Sequence, residues 1–115
     1  MTVKIYHNPK CSTSRKTLSL LQEKGLEPEV VLYLKTPLDA AQVLDLAMKT
    51  GEPLRTILRE RGTPFEELGL GDEKWSEQQL ADFVVEHPIL LNRPIVETAK
   101  GARLCRPIER VEEIL

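Results

Sequence analysis

A short strand, helix and strand over the first 35 residues, helices alone from 36 to 87, and two strands with a helix at the end predict an α/β fold. This βαβ, helical, ββα order suits a thioredoxin-like fold, a mixed four-stranded sheet carrying a helical insertion at approximately 36–87. At 115 residues the chain has the size of one domain, so 1–115 is read as a single unit.

Val3, Ile5 and Tyr6 form a β-prone run that stops at the turn signal Asn8-Pro9. From Ser12 to Lys24, Leu18, Leu20 and Leu21 recur at helical spacing, small polar residues crowd the front, and Gly25 offers a left-handed stop. Cys11 therefore lies at a helix N-terminus. Val30, Val31, Leu32 and Leu34 are too short a run for a helix and read as a buried parallel strand that completes the βαβ unit.

The insertion is read from its punctuation. Thr36 as cap with Pro37 at the first helical position opens one helix, whose apolar set is Leu38, Val43, Leu44, Leu46 and Ala47 and whose stop is Gly51. Leu54, Ile57 and Leu58 mark a short helix closed by Gly62, and Thr63-Pro64-Phe65-Glu66 has a capping-box pattern. Ser76 to Gln79 repeats that pattern before Leu80, Phe83, Val84 and Val85, with an exit at Pro88. No strand is expected in this block. Ile95-Val96 and Arg103-Leu104-Cys105 flank the turn-prone Ala99-Lys100-Gly101 as an antiparallel hairpin, and Pro107 opens a last helix with Ile108, Val111, Ile114 and Leu115.

Hydrophobic residues are 41% of the chain and charged residues 30%, too apolar for a disordered polymer. No run approaches the roughly 18 apolar residues of a membrane span. Sixteen Lys and Arg against eighteen Asp and Glu leave a net charge of −2, which supplies no general field for nucleic acid or an anionic membrane. Any anion site must be local. Trp75 and Phe83 are too few for a base-stacking surface, and no Gly-rich phosphate loop occurs. The opening MTVKIYHNPKC lacks signal-peptide character, and the two cysteines have neither a disulfide framework nor zinc-site spacing, so a cytoplasmic protein without a metal is expected.

The chemistry centres on HNPKCSTSR. A thiol at a helix start feels the unpaired backbone N–H groups, which favour thiolate over thiol and can also hold an anion. His7, if protonated, would act in the same direction, and Ser12, Thr13 and Ser14 add hydroxyl donors without bulk. The competing reading is a buried structural cysteine followed by ordinary capping residues. Ser14 stands where a thioredoxin-type redox pair would need its second cysteine, which excludes dithiol chemistry within this loop. Oxidised Cys11 must then pass to an external thiol or to Cys105, and Cys105, in the strand-like run ARLC, is read as structural. Arg59, Arg93 and Arg106 stand in segments that such a sheet could bring towards Cys11, although any single arginine is ordinarily a solvated surface residue. His87 reads as a helix-end residue facing the last carbonyls.

At this point the residues resemble a known family. YHNPKCSTSRKTL is similar to the opening motif of the glutathione- and glutaredoxin-dependent bacterial arsenate reductases, with Ser12 where that family usually has Gly; HPILLNRPIV and GARLCRP resemble its second and third signatures. The three motifs occur in order over nearly the whole chain. Longer members run on past the position of Leu115, and whatever that tail contributes is expected to be missing here.

The resemblance implies that Cys11 is the nucleophile on arsenic, that His7 assists it, and that Arg59, Arg93 and Arg106 bind and stabilise the oxyanion. Arg55, Arg61 and Arg103 remain solvated or structural. It further implies a cis bond before Pro94, beside the thiol. The implied reaction is reduction of arsenate to arsenite through a thiol-arsenate adduct on Cys11, with glutathione as co-substrate, glutaredoxin as protein partner and no bound cofactor, in a chain expected to act as a monomer. Two other readings stand beside it: a non-enzymatic transcriptional regulator of the Spx type, whose usual CxxC switch Ser14 removes, and a general glutathione-linked thiol oxidoreductase.

Overall fold

A computed structural model describes residues 2–115. The order along the chain is strand β1 (Lys4–Tyr6), helix α1 (Ser12–Glu23), β2 (Glu29–Val31), α2 (Ala40–Thr50), a 3-10 turn (Leu54–Ile57), α3 (Glu77–Glu86), a second 3-10 turn (Pro88–Leu90), β3 (Ile95–Thr98), β4 (Gly101–Leu104) and a 3-10 helix (Ile108–Ile114). The strands form the expected mixed sheet in the order β2-β1-β3-β4. β1 runs parallel to β2 and antiparallel to β3, with Ile5 opposite both Val30 and Val96, while β3 and β4 form the hairpin. No helix among the described residues is long and apolar enough to cross a membrane.

Successive side chains of a strand leave opposite faces of the sheet, so β1 and β3 feed two cores. Val3, Ile5, Val96 and Cys105 point to one side, where they pack with Leu21 of α1 and with Val111 and Ile114 of the last 3-10 helix. Tyr6, Ile95 and Ala102 point to the other, under Val43 and Leu46 of α2, Leu80 and Val84 of α3, and Leu54, Ile57 and Leu90 of the 3-10 turns. Helices therefore cover both faces of the sheet. The thiol loop leaves the C-terminal end of β1, a central strand, and leads into α1.

Several sequence expectations need correction. The apolar run from Val30 is a parallel strand but not a buried one: β2 is a sheet edge, Val30 is 42% exposed, and the chain leaves the strand after Val31. Helix α2 begins at Ala40 rather than behind Thr36, because Asp39 makes a full capping box there: its carboxylate accepts from the Gln42 N–H at 2.8 Å, and the Gln42 side chain accepts from the Asp39 N–H at 2.9 Å. Asp39→Ala is expected to cost about 1 kcal/mol of unfolding free energy, read from urea denaturation.

The pattern from Thr63 to Glu66 makes no such box. The Phe65 N–H donates to the Thr63 hydroxyl and the stretch closes into turns, with the Leu68 N–H donating to the Pro64 carbonyl. Ser76 and Gln79 do form the expected box at α3. The short helix at Leu54 and the final one at Ile108 are both 3-10. One bridge is unexpected: Leu58 of the insertion pairs antiparallel with Leu91, which lies just beyond it.

Candidate active site

Cys11 is the N-cap of α1, with extended backbone angles and a carbonyl that accepts the first helical bond from the Arg15 N–H at 3.0 Å. No side-chain oxygen caps this helix, so the thiol itself sits where a cap would. Burial alone would push its pKa up. The Ser14 N–H, the Arg93 guanidinium, the Arg106 side chain and the Thr13 N–H outweigh that penalty, and the net pKa is lowered. Alkylation of Cys11 should therefore show a midpoint below that of the same thiol in urea, and a midpoint at or above the unfolded one would remove the electrostatic account.

Arg106 makes the most direct contact: its Nη1 lies 3.8 Å from the Cys11 sulfur and donates to the Arg93 carbonyl at 3.1 Å. Arg93 lines the cleft above the thiol, and its Nε is buried with no hydrogen-bond partner among the described residues. A buried N–H left unpaired is costly unless a ligand completes it. Arg59 lines the same cleft, held by Nε donation to the Arg61 carbonyl at 2.9 Å. Arg55, by contrast, donates to the carbonyls of Leu70 and Asp72, and Arg103 pairs with Glu113, which leaves both structural.

Arg59 and Arg93 are far apart in sequence but mechanically joined. The Arg59 N–H donates to the Leu90 carbonyl at 2.7 Å and the Asn92 N–H to the Ile57 carbonyl at 2.9 Å, on either side of the Leu58–Leu91 bridge. Arg59 makes one of these ladder bonds itself, and Arg93 follows directly on Asn92, which makes the other. The peptide bond between Arg93 and Pro94 is cis, as expected, and the Cys105 N–H donates to the Pro94 carbonyl at 2.9 Å. The bond between Arg106 and Pro107 is also cis, which sequence reasoning did not anticipate.

His7 departs from its expected electrostatic part. Burial, with the charge of Arg15 adding to it, lowers its pKa, so near neutral pH it is an uncharged imidazole and lends the thiol no cation. Its Nδ1 is 2.7 Å from the Ser14 hydroxyl, which also accepts from the Asn8 N–H at 3.1 Å. The Ser14 hydroxyl is thus spent inside the loop and fully buried; what Ser14 offers the thiol is its backbone N–H. Ser12 is exposed, and Thr13 accepts at its carbonyl from the Thr17 hydroxyl.

Sequence reasoning missed Tyr33. This ring is 2% exposed, and its hydroxyl donates to the Leu91 carbonyl at 3.3 Å, bracing the ladder that carries Arg93. Burial raises its pKa against the opposing charges of Arg93 and Arg59. The one available signal was a polar-tipped aromatic in an otherwise aliphatic run, since a buried Tyr needs a partner for its hydroxyl.

Residues 6–114 match the sequence model of the ArsC family. The chain belongs to the ArsC family. An ArsC relative from Rhizobium meliloti (strain 1021) named arsenate reductase is 52% identical over 115 residues, which is 100% of this chain and 82% of its own. A protein of Escherichia coli (strain K12) that bears the name uncharacterized protein YfgD is 50% identical, over 98% of this chain and 96% of its own. The solved structure of an arsenate reductase from Vibrio cholerae superposes with a TM-score of 0.95 at 43% identity, covering 100% of this chain and 98% of that one. Thus the thioredoxin-like fold and the ArsC resemblance drawn from three motifs both hold for the chain as a whole.

Proposed function

We propose that this ArsC protein reduces arsenate to arsenite through Cys11, with glutathione and glutaredoxin as the electron donors. The observation that carries the reading is the pairing of a thiolate-favouring cysteine with a buried arginine N–H in one cleft: Cys11 supplies the nucleophile, and the Arg93 Nε has no partner among the described residues and so suits an anion.

The Cys11 thiolate attacks arsenic, forms a sulfur–arsenic bond, and expels one arsenate oxygen as water after protonation. Arg93, Arg106, Arg59 and the N–H groups at the start of α1 hold the remaining oxygens while charge shifts on the tetrahedral centre. Glutathione then attacks the adduct, and a glutaredoxin thiol completes the transfer. The balance is two thiols oxidised to one disulfide, arsenic reduced by two electrons, and one water released, which suits a cytoplasm where thiols are kept reduced. His7, neutral and tied to Ser14, orders the loop in this reaction rather than charging it.

The test is NADPH oxidation coupled through glutathione reductase, glutathione and glutaredoxin, with and without arsenate. Arsenate-dependent oxidation, competitively inhibited by phosphate, is expected. Oxidation on a mixed-disulfide substrate with none on arsenate would instead assign a general thiol oxidoreductase.

A further inference from the structure

The cleft above Cys11 is much larger than an oxyanion requires. Its volume of about 650 Å³ falls within the roughly 300–1,000 Å³ of pockets that take drug-sized ligands, and the groups assigned to the oxyanion, Cys11, Arg59 and Arg93, are only part of its lining. The outer part has a different character. Leu32, Leu34 and Ile89 form an aliphatic wall, with Leu34 41% and Ile89 36% exposed. A hydrated tetrahedral anion gains nothing from such a surface, which rewards the burial of carbon.

The rim is cationic. Lys10 and Lys35 line it, and each is anchored through its backbone: the Lys10 N–H donates to the Asn8 side chain at 3.0 Å and the Lys35 N–H to the Leu32 carbonyl at 2.8 Å. Lys4, Lys24 and Lys49 all pair with carboxylates, but neither ammonium at the rim has an acidic partner among the described residues. Among the described residues no Asp or Glu lines this cleft. A chain with a net charge of −2 has therefore gathered unopposed cations around its thiol.

Resting on the thiol-dependent reading above, we propose that the outer cleft is a subsite for a small peptide thiol bearing carboxylates, glutathione in the assay, in which Lys10 and Lys35 receive the carboxylates. The wall of Leu32, Leu34 and Ile89 takes the aliphatic body, and the peptide's sulfur is delivered over Cys11. Lysine suits the task, because a mobile ammonium neutralises a carboxylate without demanding the forked geometry of arginine. Neutral thiols and disulfides reach the same sulfur but lack the ionic contacts, so the lysines set selectivity among thiols rather than reactivity of Cys11.

A reaction that needs no arsenate tests this. The Cys11 thiolate attacks one sulfur of a disulfide, joins it as a mixed disulfide, and releases the other half as a thiolate; mass spectrometry follows the modified protein. The rate is measured with glutathione disulfide and with the neutral 2-hydroxyethyl disulfide, on the unaltered protein, on Lys10→Glu/Lys35→Glu, on Lys35→Glu alone and on Lys16→Glu, which changes the same charge on the exposed face of α1.

The double variant is expected to lose about tenfold with glutathione disulfide and to keep its rate with the neutral disulfide, the single Lys35 variant to lose part of this, and Lys16→Glu to change little. Equal loss with both disulfides would place the effect on the Cys11 pKa and overturn the subsite. So would equal loss in Lys16→Glu, or no loss at all. An unaltered protein that discriminates between the disulfides in this way but shows no arsenate-dependent turnover would retain the subsite and lose the proposed function; turnover without discrimination would do the reverse.

Discussion

Cys11→Ser is expected to abolish arsenate reduction, while Cys105→Ala leaves it nearly intact. The two thiols, both largely buried, differ in electrostatic setting and in access to a cleft. Cys11 lies at a helix start beside two arginines and opens onto a cleft, with its pKa lowered. Cys105 is 0% exposed in the core formed by Val3, Ile5, Val96 and Val111, and burial pushes its thiol up to about 12. At neutral pH only about one Cys105 in 10⁵ is then a thiolate, too few to resolve an adduct on Cys11. This agrees with the external thiol donor of the proposed reaction. The coupled assay on both variants checks this, and an 11–105 disulfide seen by mass spectrometry, with activity lost in both, would convert the mechanism to internal resolution.

The same depressed pKa links Cys11 to folding. The native state favours the thiolate, so its stabilising contribution is complete above the pKa of the unfolded thiol and is lost as pH falls through the lower native value. The stability difference between the unaltered protein and Cys11→Ser should accordingly change in the unaltered protein's favour as pH rises across that window, and urea denaturation at a series of pH values measures it.

What could be seen in the sequence was whatever is encoded locally. β1 stops at Asn8-Pro9, and α1 starts with small polar residues; these signals sit within a few positions of the structure they cause, so the placement of Cys11 followed from them. The start of α2 was also written locally, but two cap signals competed, and Asp39 with Gln42 satisfied two backbone groups together where Thr36 did not. Other features depend on strand order or on distant charges. Val30 and Val31 look buried because they are apolar, yet β2 is an edge strand, which only the pairing of β1 with β3 decides. The charge of His7 turns on burial and on Arg15, neither visible in the spacing to Cys11. Arg59 lies on the ladder, Arg93 just after it and Arg106 after β4, and no local pattern separates them from Arg55 or Arg103; the resemblance to a family singled them out, and the structure shows the elements that carry them to the cleft.

Replacing Arg93 or Arg106 with alanine is expected to lower kcat/KM for arsenate by about a hundredfold each, the usual cost of on the order of 3 kcal/mol for losing one donor to developing charge. The two losses should overlap in their effect on the thiol and differ in what each adds. Arg106 touches the Cys11 sulfur, and its Nη1 also ties down the Arg93 carbonyl, so Arg106→Ala should raise the alkylation midpoint of Cys11 as well as the barrier. The charge of Arg93 favours the thiolate at least as much as Arg106 does, so Arg93→Ala should raise that midpoint too, and because its buried Nε has no partner among the described residues it should in addition weaken phosphate inhibition. Lysine at either position restores charge but not the planar fork, and intermediate activity at best is expected. Arg59→Ala should have the mildest effect of the three, since its Nε is already committed to the Arg61 carbonyl and only its terminal nitrogens can face the cleft. Arg61→Ala serves as the control, because Arg61 is an exposed residue whose backbone, not side chain, makes that contact. Steady-state kinetics on the four alanine variants, with phosphate inhibition and the pH dependence of alkylation measured on each, separates these roles; unchanged kcat/KM in the Arg93, Arg106 and Arg59 variants would show that the cluster does not hold the oxyanion.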